Sequence, residues 1–195
     1  MAVICVFCAS SDHIPPRYID LAAEVGTELA RRGHSLVTGG GSVSCMGAVA
    51  QAARAGGAHT VGVIPSALRD LEIADDEADE LVVTPDMRTR KGEMDRRADA
   101  FLTLPGGIGT LEELLEIWVA RALRMHSKPV VVLDPDRVFS LLREQVERLV
   151  DERFARRSVW DAITWTSDVG AAFDAIERGH PVLPPTAEEV LEAEP

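Results

Sequence analysis

The stretch that most constrains the fold is Leu102–Glu116, which reads LTLPGGIGTLEELLE. An apolar run over Ala100–Leu104 has the composition of a buried strand, and Pro105 ends it. Three glycines then open a loop, and from Thr110 the apolar residues recur at helical spacing. Such a loop lets backbone N–H groups approach an anion closely, and the start of the helix adds its positive dipole end. The stretch therefore predicts an anion-binding unit of strand, loop and helix.

Two adjacent carboxylates, Glu112 and Glu113, lie in the first turn of this predicted helix. Adjacent residues cannot share one face of a helix, so we expect at most one of them to point into the site while the other faces solvent. An acid beside a phosphate cradle indicates chemistry on a phosphorylated substrate. The alternative is that both carboxylates simply complement the helix dipole.

Length and charge exclude several classes of protein. With 195 residues, of which 46% are hydrophobic, one globular α/β domain is expected. The net charge of −12 argues against a nucleic-acid partner, for which a basic face is typical. No apolar run reaches the roughly 18 residues of a membrane span, and the N-terminus lacks the basic and apolar segments of a signal peptide. We therefore expect a cytoplasmic protein with neither a membrane nor a nucleic acid as partner.

Apolar runs and helical patterns alternate along the chain, which predicts a Rossmann-like doubly wound parallel sheet of about seven strands flanked by helices. The predicted strands are Ala2–Phe7, His34–Thr38, His59–Ile64, Leu81–Thr84, Ala100–Leu104, Pro129–Leu133 and Ile163–Trp165. The predicted helices are Arg17–Arg32, Met46–Ala55, Asp86–Asp99, Thr110–Arg124, Val138–Val150 and Val169–Arg178. We expect a single domain over residues 1–179 and a flexible acidic tail over residues 180–195.

Ligands of such folds lie beyond the carboxyl ends of the strands, where the loops Cys8–Pro16, Gly39–Cys45 and Pro105–Gly109 should meet. The loop that begins TGGGS follows a strand and precedes a helix, as a phosphate site requires, but a tight turn explains it equally well. It lacks the Gly-Lys-Ser/Thr of a P-loop. In the loop after Pro105, Glu112 occupies the position of the third glycine of the dinucleotide fingerprint. A single phosphate therefore fits better than NAD.

The helix MRTRKGEMDRRAD brings cations to its first turns, at Arg88, Arg90 and Lys91. The helix dipole disfavours each of them there by roughly 0.3–1 kcal/mol. A bound anion would reverse that effect, and a solvated face with local partners such as Glu93 and Asp95 is the alternative. From the residues alone, the two interpretations stay open.

Neither the cysteines nor the histidines form a site. Cys5 and Cys8 make a C-x-x-C pair, but residues three apart on a strand point to opposite faces, so we expect them to be structural. No second cysteine pair completes a zinc site, and the five histidines show no metal-ligand spacing. We expect no metal and no cofactor.

These motifs together resemble the LONELY GUY family, the cytokinin riboside 5′-monophosphate phosphoribohydrolases. The family's diagnostic pair is an R-K dipeptide followed by P-G-G-x-G-T-x-x-E, and Arg90–Lys91 and Pro105–Glu113 match it in order and spacing. The segments CVFCASS and GGGSVSCMGAVA also resemble family segments. The resemblance extends from Ala2 to about Ile176.

The resemblance implies a homodimer that hydrolyses the N-glycosidic bond of adenosine 5′-monophosphate, N6-prenylated or plain, to the free base and ribose 5-phosphate. It places Arg90 and Glu113 in the catalytic positions. The substrate-binding positions that it implies are Ser10, Gly40, Gly41, Glu72, Arg90, Lys91, Gly106, Gly107, Gly109 and Thr110. We expect Arg90 and Glu113 to be partly exposed, so that removing either should affect turnover more than folding.

The chain departs from the family pattern at Ala9, Ser44 and Ala120, where the family has glycine, glycine and tryptophan, which bears on selectivity for the base or its side chain. The alternative function is a nucleotide or molybdenum-cofactor carrier of the same fold without catalysis. The family is also often labelled lysine decarboxylase, but a pyridoxal-phosphate enzyme needs a lysine for its Schiff base. Lys91 belongs to the R-K motif and Lys128 precedes a strand, so we reject that label.

Overall fold

Seven parallel strands form one sheet with helices on both faces in the computed structural model, which describes residues 1–69 and 74–179. The strands are β1 Val3–Phe7, β2 Ser35–Thr38, β3 Thr60–Pro65, β4 Glu80–Thr84, β5 Ala100–Thr103, β6 Val130–Leu133 and β7 Thr164–Thr166. The helices are α1 Pro16–Arg31, α2 Ser44–Ala55, α3 Ser66–Arg69, α4 Met87–Arg97, α5 Ile108–Ala122, α6 Ser140–Asp151, α7 Arg157–Trp160 and α8 Val169–Arg178.

The predicted fold class is confirmed. Every predicted strand and helix is present, and each of its ends lies within two residues of the predicted one. The single-turn helices α3 and α7 were not predicted, because four residues are too few to show a helical period. The predictions for Glu72 and for the tail over residues 180–195 lie outside the described residues.

The strand order is β4-β3-β2-β1-β5-β6-β7. The chain adds β2, β3 and β4 on one side of β1 and then returns to place β5 on its other side. The loops that follow β1 and β5 therefore diverge at the carboxyl edge and leave a crevice between them, which is where open α/β sheets bind ligands.

Alternate side chains of the strands supply two separate cores. Ile4 and Val6 of β1 pack with residues of α1, α2 and α8 on one face of the sheet. Cys5 and Phe7 pack with residues of α4, α5 and α6 on the other face. Cys8 returns to the first core, so the two thiols of the C-x-x-C pair lie on opposite faces and are free, which confirms their structural interpretation.

Over residues 1–69 and 74–179, no helix has the length and apolar character needed to cross a bilayer.

The contact between α1 and α2 depends on Gly26. A Cβ added at this position would lie 2.3 Å from the carbonyl oxygen of Val49 and 2.9 Å from the Cβ of Ala52. We predict that Gly26→Ala lowers the free energy of unfolding by about 1–3 kcal/mol, because the two helices must move apart. Urea denaturation measures this loss.

Gly92→Ala is the matched control. Gly92 lies inside α4, and apart from the adjacent residues and the local helix backbone no atom of the described residues is within 4 Å of its added Cβ. The change should be neutral or stabilising by up to about 1 kcal/mol, because alanine favours the helix. Equal free energies of unfolding for the two variants would contradict the close packing of α1 on α2.

Candidate active site

A cavity of about 530 Å³ opens at the carboxyl edge of the sheet, between the loops that follow β1 and β5. Its volume is in the range of small-molecule sites. Helix α4 and the first turns of α5 complete its walls. The residues of the expected site that line it are Ser10, Arg90, Gly106, Gly107, Gly109, Thr110 and Glu113. The structure thus brings together most of the motif residues at one place.

The N-terminus of α5 opens into this cavity. Gly107 is the N-cap residue, and no side chain in the described part of the chain caps the helix. The N–H of Leu111 donates to the carbonyl oxygen of Gly107 at 3.0 Å, as the first regular helical bond. The N–H groups of Ile108, Gly109 and Thr110 precede that bond and are the ones a helix offers to an anion.

A tight contact shapes the loop before α5. A Cβ added at Gly106 would lie 2.2 Å from Oγ1 of Thr110, so only glycine fits against this side chain. The Thr110 hydroxyl donates to the carbonyl oxygen of Cys8 at 3.1 Å and is buried. This bond joins the loop after β1 to the start of α5 and fixes the width of the cavity.

An ion pair joins α4 to α5 at the cavity wall. Nη1 of Arg90 donates to Oε1 of Glu113 at 2.8 Å, and Nε of Arg90 donates to the carbonyl oxygen of Val63 at 3.0 Å. The two side chains are only 9% and 11% exposed. The expectation of partial exposure was therefore wrong for Arg90, which is buried, whereas Glu113 keeps a small exposed fraction. The Arg90 side chain extends from α4 to the Val63 carbonyl in β3.

Burial sets the electrostatics of this pair. It raises the pKa of Glu113 above the ordinary value of 4.5, whereas the charge and hydrogen bond of Arg90 lower that pKa. Arg90 is thus the group that favours the charged carboxylate against burial. Removing one member of a buried ion pair leaves the other uncompensated, which typically costs about 3–5 kcal/mol. A substitution here affects folding as well as chemistry.

The neighbouring carboxylate diverges from Glu113, as expected. Glu112 reaches the cavity rim, is 53% exposed and contacts Nζ of Lys91, which also contacts Glu116. Hydrogen bonds to these two carboxylates raise the pKa of Lys91. Lys91 lines a second cavity, of about 780 Å³, beside α5. Its contact with substrate stays a prediction.

Carboxylates of α5 form ion pairs with two of the cations at the start of α4. Arg90 and Lys91 pair with side chains of α5, whereas Glu93 of their own helix pairs with Arg96 and Arg97. For Arg90 and Lys91, this pairing across helices answers the question that the sequence left open, because α5 supplies their counter-charges. For Arg88 the question stays open.

In the glycine loop after β2, the residue that lines the cavity is Gly39, whereas the sequence analysis selected Gly40 and Gly41. The carbonyl oxygen of Gly40 accepts a hydrogen bond from the N–H of Asp75 at 2.9 Å, and Gly41 forms an antiparallel bridge with Ala74. Contact of Gly40 and Gly41 with substrate stays a prediction. Three consecutive glycines carry no signal that distinguishes one from another, so only packing identifies the first.

Two of the three departures from the family pattern line a cavity, and the third, Ser44, contacts the loop after β1. Ser44 has a φ of 54°, in the left-handed region that favours glycine. Its Oγ donates to the carbonyl oxygen of Ser11 at 2.7 Å, which ties the glycine loop to the loop after β1. Ala9 lines the first cavity and Ala120 the second.

Comparison with known proteins gives the family. A family model described as "Possible lysine decarboxylase" matches residues 46–176. A cytokinin riboside 5′-monophosphate phosphoribohydrolase of Mycobacterium marinum is 47% identical over 176 residues, which cover 90% of this chain and 94% of that protein. The chain belongs to the LONELY GUY family. An enzyme of the same name from Arabidopsis thaliana is 47% identical over 163 residues, covering 82% of this chain and 75% of its own length.

A solved structure shares the fold of this LONELY GUY protein. It is that of the molybdenum cofactor binding protein from Rippkaea orientalis, with a TM-score of 0.67 and 24% identity. It covers 90% of this chain and 95% of its own. At this identity, the likeness concerns the fold alone.

The lysines of this family member do not fit pyridoxal phosphate. A Schiff base requires a neutral lysine amine close to the substrate. The two carboxylates around Lys91 raise its pKa and favour the charged form. Lys128 donates to Asp95 at 2.8 Å and precedes β6, at the edge of the sheet opposite the cavity. The label of the family model therefore does not describe the chemistry of this site.

The electrostatics of the pair predict how Glu113 titrates. In ¹³C NMR of the labelled protein, the carboxyl signal that Glu113→Gln removes should report a pKa above 4.5. Arg90→Gln should raise that pKa further, because it removes the charge that opposes burial. Arg88→Gln, an equal change of charge at an exposed residue of the same helix, should move it much less. An unchanged pKa in Arg90→Gln would contradict this account of the pair.

Proposed function

We propose that this protein hydrolyses the N-glycosidic bond of an adenine-type nucleoside 5′-monophosphate to the free base and ribose 5-phosphate. The observation that carries the proposal is the position of the buried Arg90–Glu113 pair. It lies on the wall of the cavity into which the N-terminus of α5 opens. The names of the LONELY GUY relatives support the same reaction.

The start of α5 binds the 5′-phosphate through its first N–H groups and its positive dipole end. Glu113 follows Ile108 by five positions on the same helix, which is about 7.5 Å along the axis. This separation is comparable with the length of a ribose between its phosphate and its base. A phosphate at the helix start therefore brings the glycosidic bond near the carboxylate.

Glu113 stabilises the positive charge that develops on the sugar. As the C1′–N bond lengthens, its electron pair leaves with the base and the ribose approaches an oxocarbenium ion. Water then adds its hydroxyl to C1′, and its remaining proton is taken up by the base, which balances the reaction. Arg90 holds the carboxylate in place and in its charged form. A group aimed at developing charge in a site shielded from water contributes strongly to the rate.

The relatives are named for cytokinin riboside 5′-monophosphates, so N6-isopentenyl-AMP is the first substrate to test and AMP the second. Chromatography of the incubated mixture should show free base and ribose 5-phosphate. Tight binding of the nucleotide without any release of base would instead indicate a carrier, the alternative function. No release from either nucleotide would overturn the proposed activity.

Glu113→Gln tests the charge of the carboxylate with the smallest change of shape, although it leaves the buried Arg90 without its counter-charge and lowers stability. Glutamine keeps the shape and an acceptor oxygen for Arg90 but loses the negative charge. We predict that kcat falls by about 10²–10³-fold, because the charge that stabilises the transition state is removed. Steady-state kinetics and circular dichroism should show a folded, nearly inactive protein.

Glu112→Gln is the matched control, since it makes the same change one residue away on a half-exposed side chain. Its kcat should stay within about threefold of the wild-type value, as for exposed charges that are screened by solvent. Comparable losses in both variants would mean that Glu113 has no special role.

We also propose that the protein is a homodimer through the exposed face of α5. Leu115, Val119 and Leu123 are 41%, 52% and 67% exposed and follow each other at intervals of four residues, which places them in one stripe. Exposed apolar stripes of this kind are typical of interfaces between proteins. The stripe borders the second cavity, which Leu115 and Val119 also line.

Val119→Glu tests the interface. A charge in the middle of the stripe should convert a species of twice the chain mass into one of the chain mass in analytical ultracentrifugation, because burying an unpaired charge is costly. Leu141→Glu is the control, at an apolar residue of α6 that is 76% exposed. It should leave the mass unchanged. A monomeric wild-type protein would refute the dimer.

We further propose a cytoplasmic location. The three cysteines, Cys5, Cys8 and Cys45, are buried free thiols, as is usual in a reducing compartment. Burial raises the pKa of all three, which keeps them protonated and unreactive.

A further inference from the structure

Gly39 has no conformational reason to be glycine. It follows β2 at the carboxyl edge of the sheet and lines the first cavity. Its φ lies outside the left-handed region, whereas Gly40 has a φ of 79°. The backbone at Gly39 is therefore outside the region that favours glycine, which leaves space as the reason for glycine at this position.

The space beside Gly39 is filled by the guanidinium of Arg90. A Cβ added at Gly39 would lie 1.9 Å from Nη2 and 3.1 Å from Cζ of Arg90. Its other near neighbour is Sδ of Met46, at 3.0 Å. Real Cβ atoms do not approach other atoms as closely as 1.9 Å, so even one methyl group would displace the guanidinium.

The guanidinium is thus fixed on three sides. Nε bonds to the carbonyl oxygen of Val63, Nη1 bonds to Glu113, and Nη2 lies against the bare Cα of Gly39. We propose that Gly39 is a positioning residue, whose missing side chain lets Arg90 reach Glu113 with the geometry that catalysis requires. The catalytic part of this inference rests on the proposed function, whereas the positioning of Arg90 does not.

The least costly response to a methyl group at Gly39 is local. Nη2 is the far end of a flexible side chain, so the fold accommodates the methyl by moving the guanidinium rather than the backbone. That movement lengthens or breaks the bond to Glu113. Gly39→Ala should therefore remain folded, with a loss of stability from the weakened ion pair, and should lose catalysis. In Gly26→Ala the added methyl instead meets a backbone carbonyl of another helix, so stability falls and the ion pair stays intact.

The test compares these two variants by kinetics and by titration of Glu113. Gly39→Ala should lower kcat by about 10- to 100-fold, as expected when a preorganised charged group is misplaced. It should also raise the pKa of Glu113 in ¹³C NMR, because Arg90 no longer favours the charged form. Gly26→Ala should lose stability without moving that pKa. A wild-type kcat and an unmoved Glu113 titration in Gly39→Ala would overturn the proposal.

Repeating Gly39→Ala in the Arg90→Lys variant shows whether the loss of kcat comes from displacement of the guanidinium. Arg90→Lys lacks Nη2, so adding Gly39→Ala to it should change kcat by less than about threefold, in contrast to the loss in the wild-type background. An equal loss in both backgrounds would show that Gly39 does not act through Arg90. If no variant releases base, the proposed function fails, and the titration still decides whether Gly39 positions Arg90.

Discussion

The buried ion pair between Arg90 and Glu113 is the constraint on which the site depends. Each charge is almost fully removed from water, so each requires the other. Because Glu113 belongs to α5, the pair also fixes α4 relative to the helix whose N-terminus opens into the cavity. The carbonyl oxygen of Val63 at the end of β3 completes the arrangement. The packing of α4, α5 and β3 thus determines where the Glu113 carboxylate lies.

The topology of the sheet provides the crevice in which the site lies. The reversal of strand order at β1 and β5 opens a crevice. Helix α5 starts at its edge, where the first N–H groups have no acceptor within the helix. One helix therefore carries the proposed phosphate site at its start and a carboxylate further along. Binding energy from the remote phosphate can then orient the bond that reacts, without contributing to the chemistry itself.

Much of this was predictable from sequence, because periodicity and glycine loops are local signals. Strands such as Val130–Leu133 and the motif around Glu113 belong to this class. What the sequence did not reveal depends on contacts between distant segments. The Arg90–Glu113 bond joins residues 23 apart, and the burial of Arg90 departs from the expectation that it is partly exposed. The position of Lys91 beside the second cavity and the space at Gly39 likewise depend on side chains that only the folded chain brings together.

A crystal structure of Glu113→Gln with bound AMP tests the central claim most directly, because slow turnover should leave the nucleotide intact. The account predicts the phosphate on the N–H groups of Ile108, Gly109 and Thr110, with C1′ of the ribose facing residue 113. A nucleotide whose phosphate lies elsewhere, or whose glycosidic bond points away from residue 113, would contradict it.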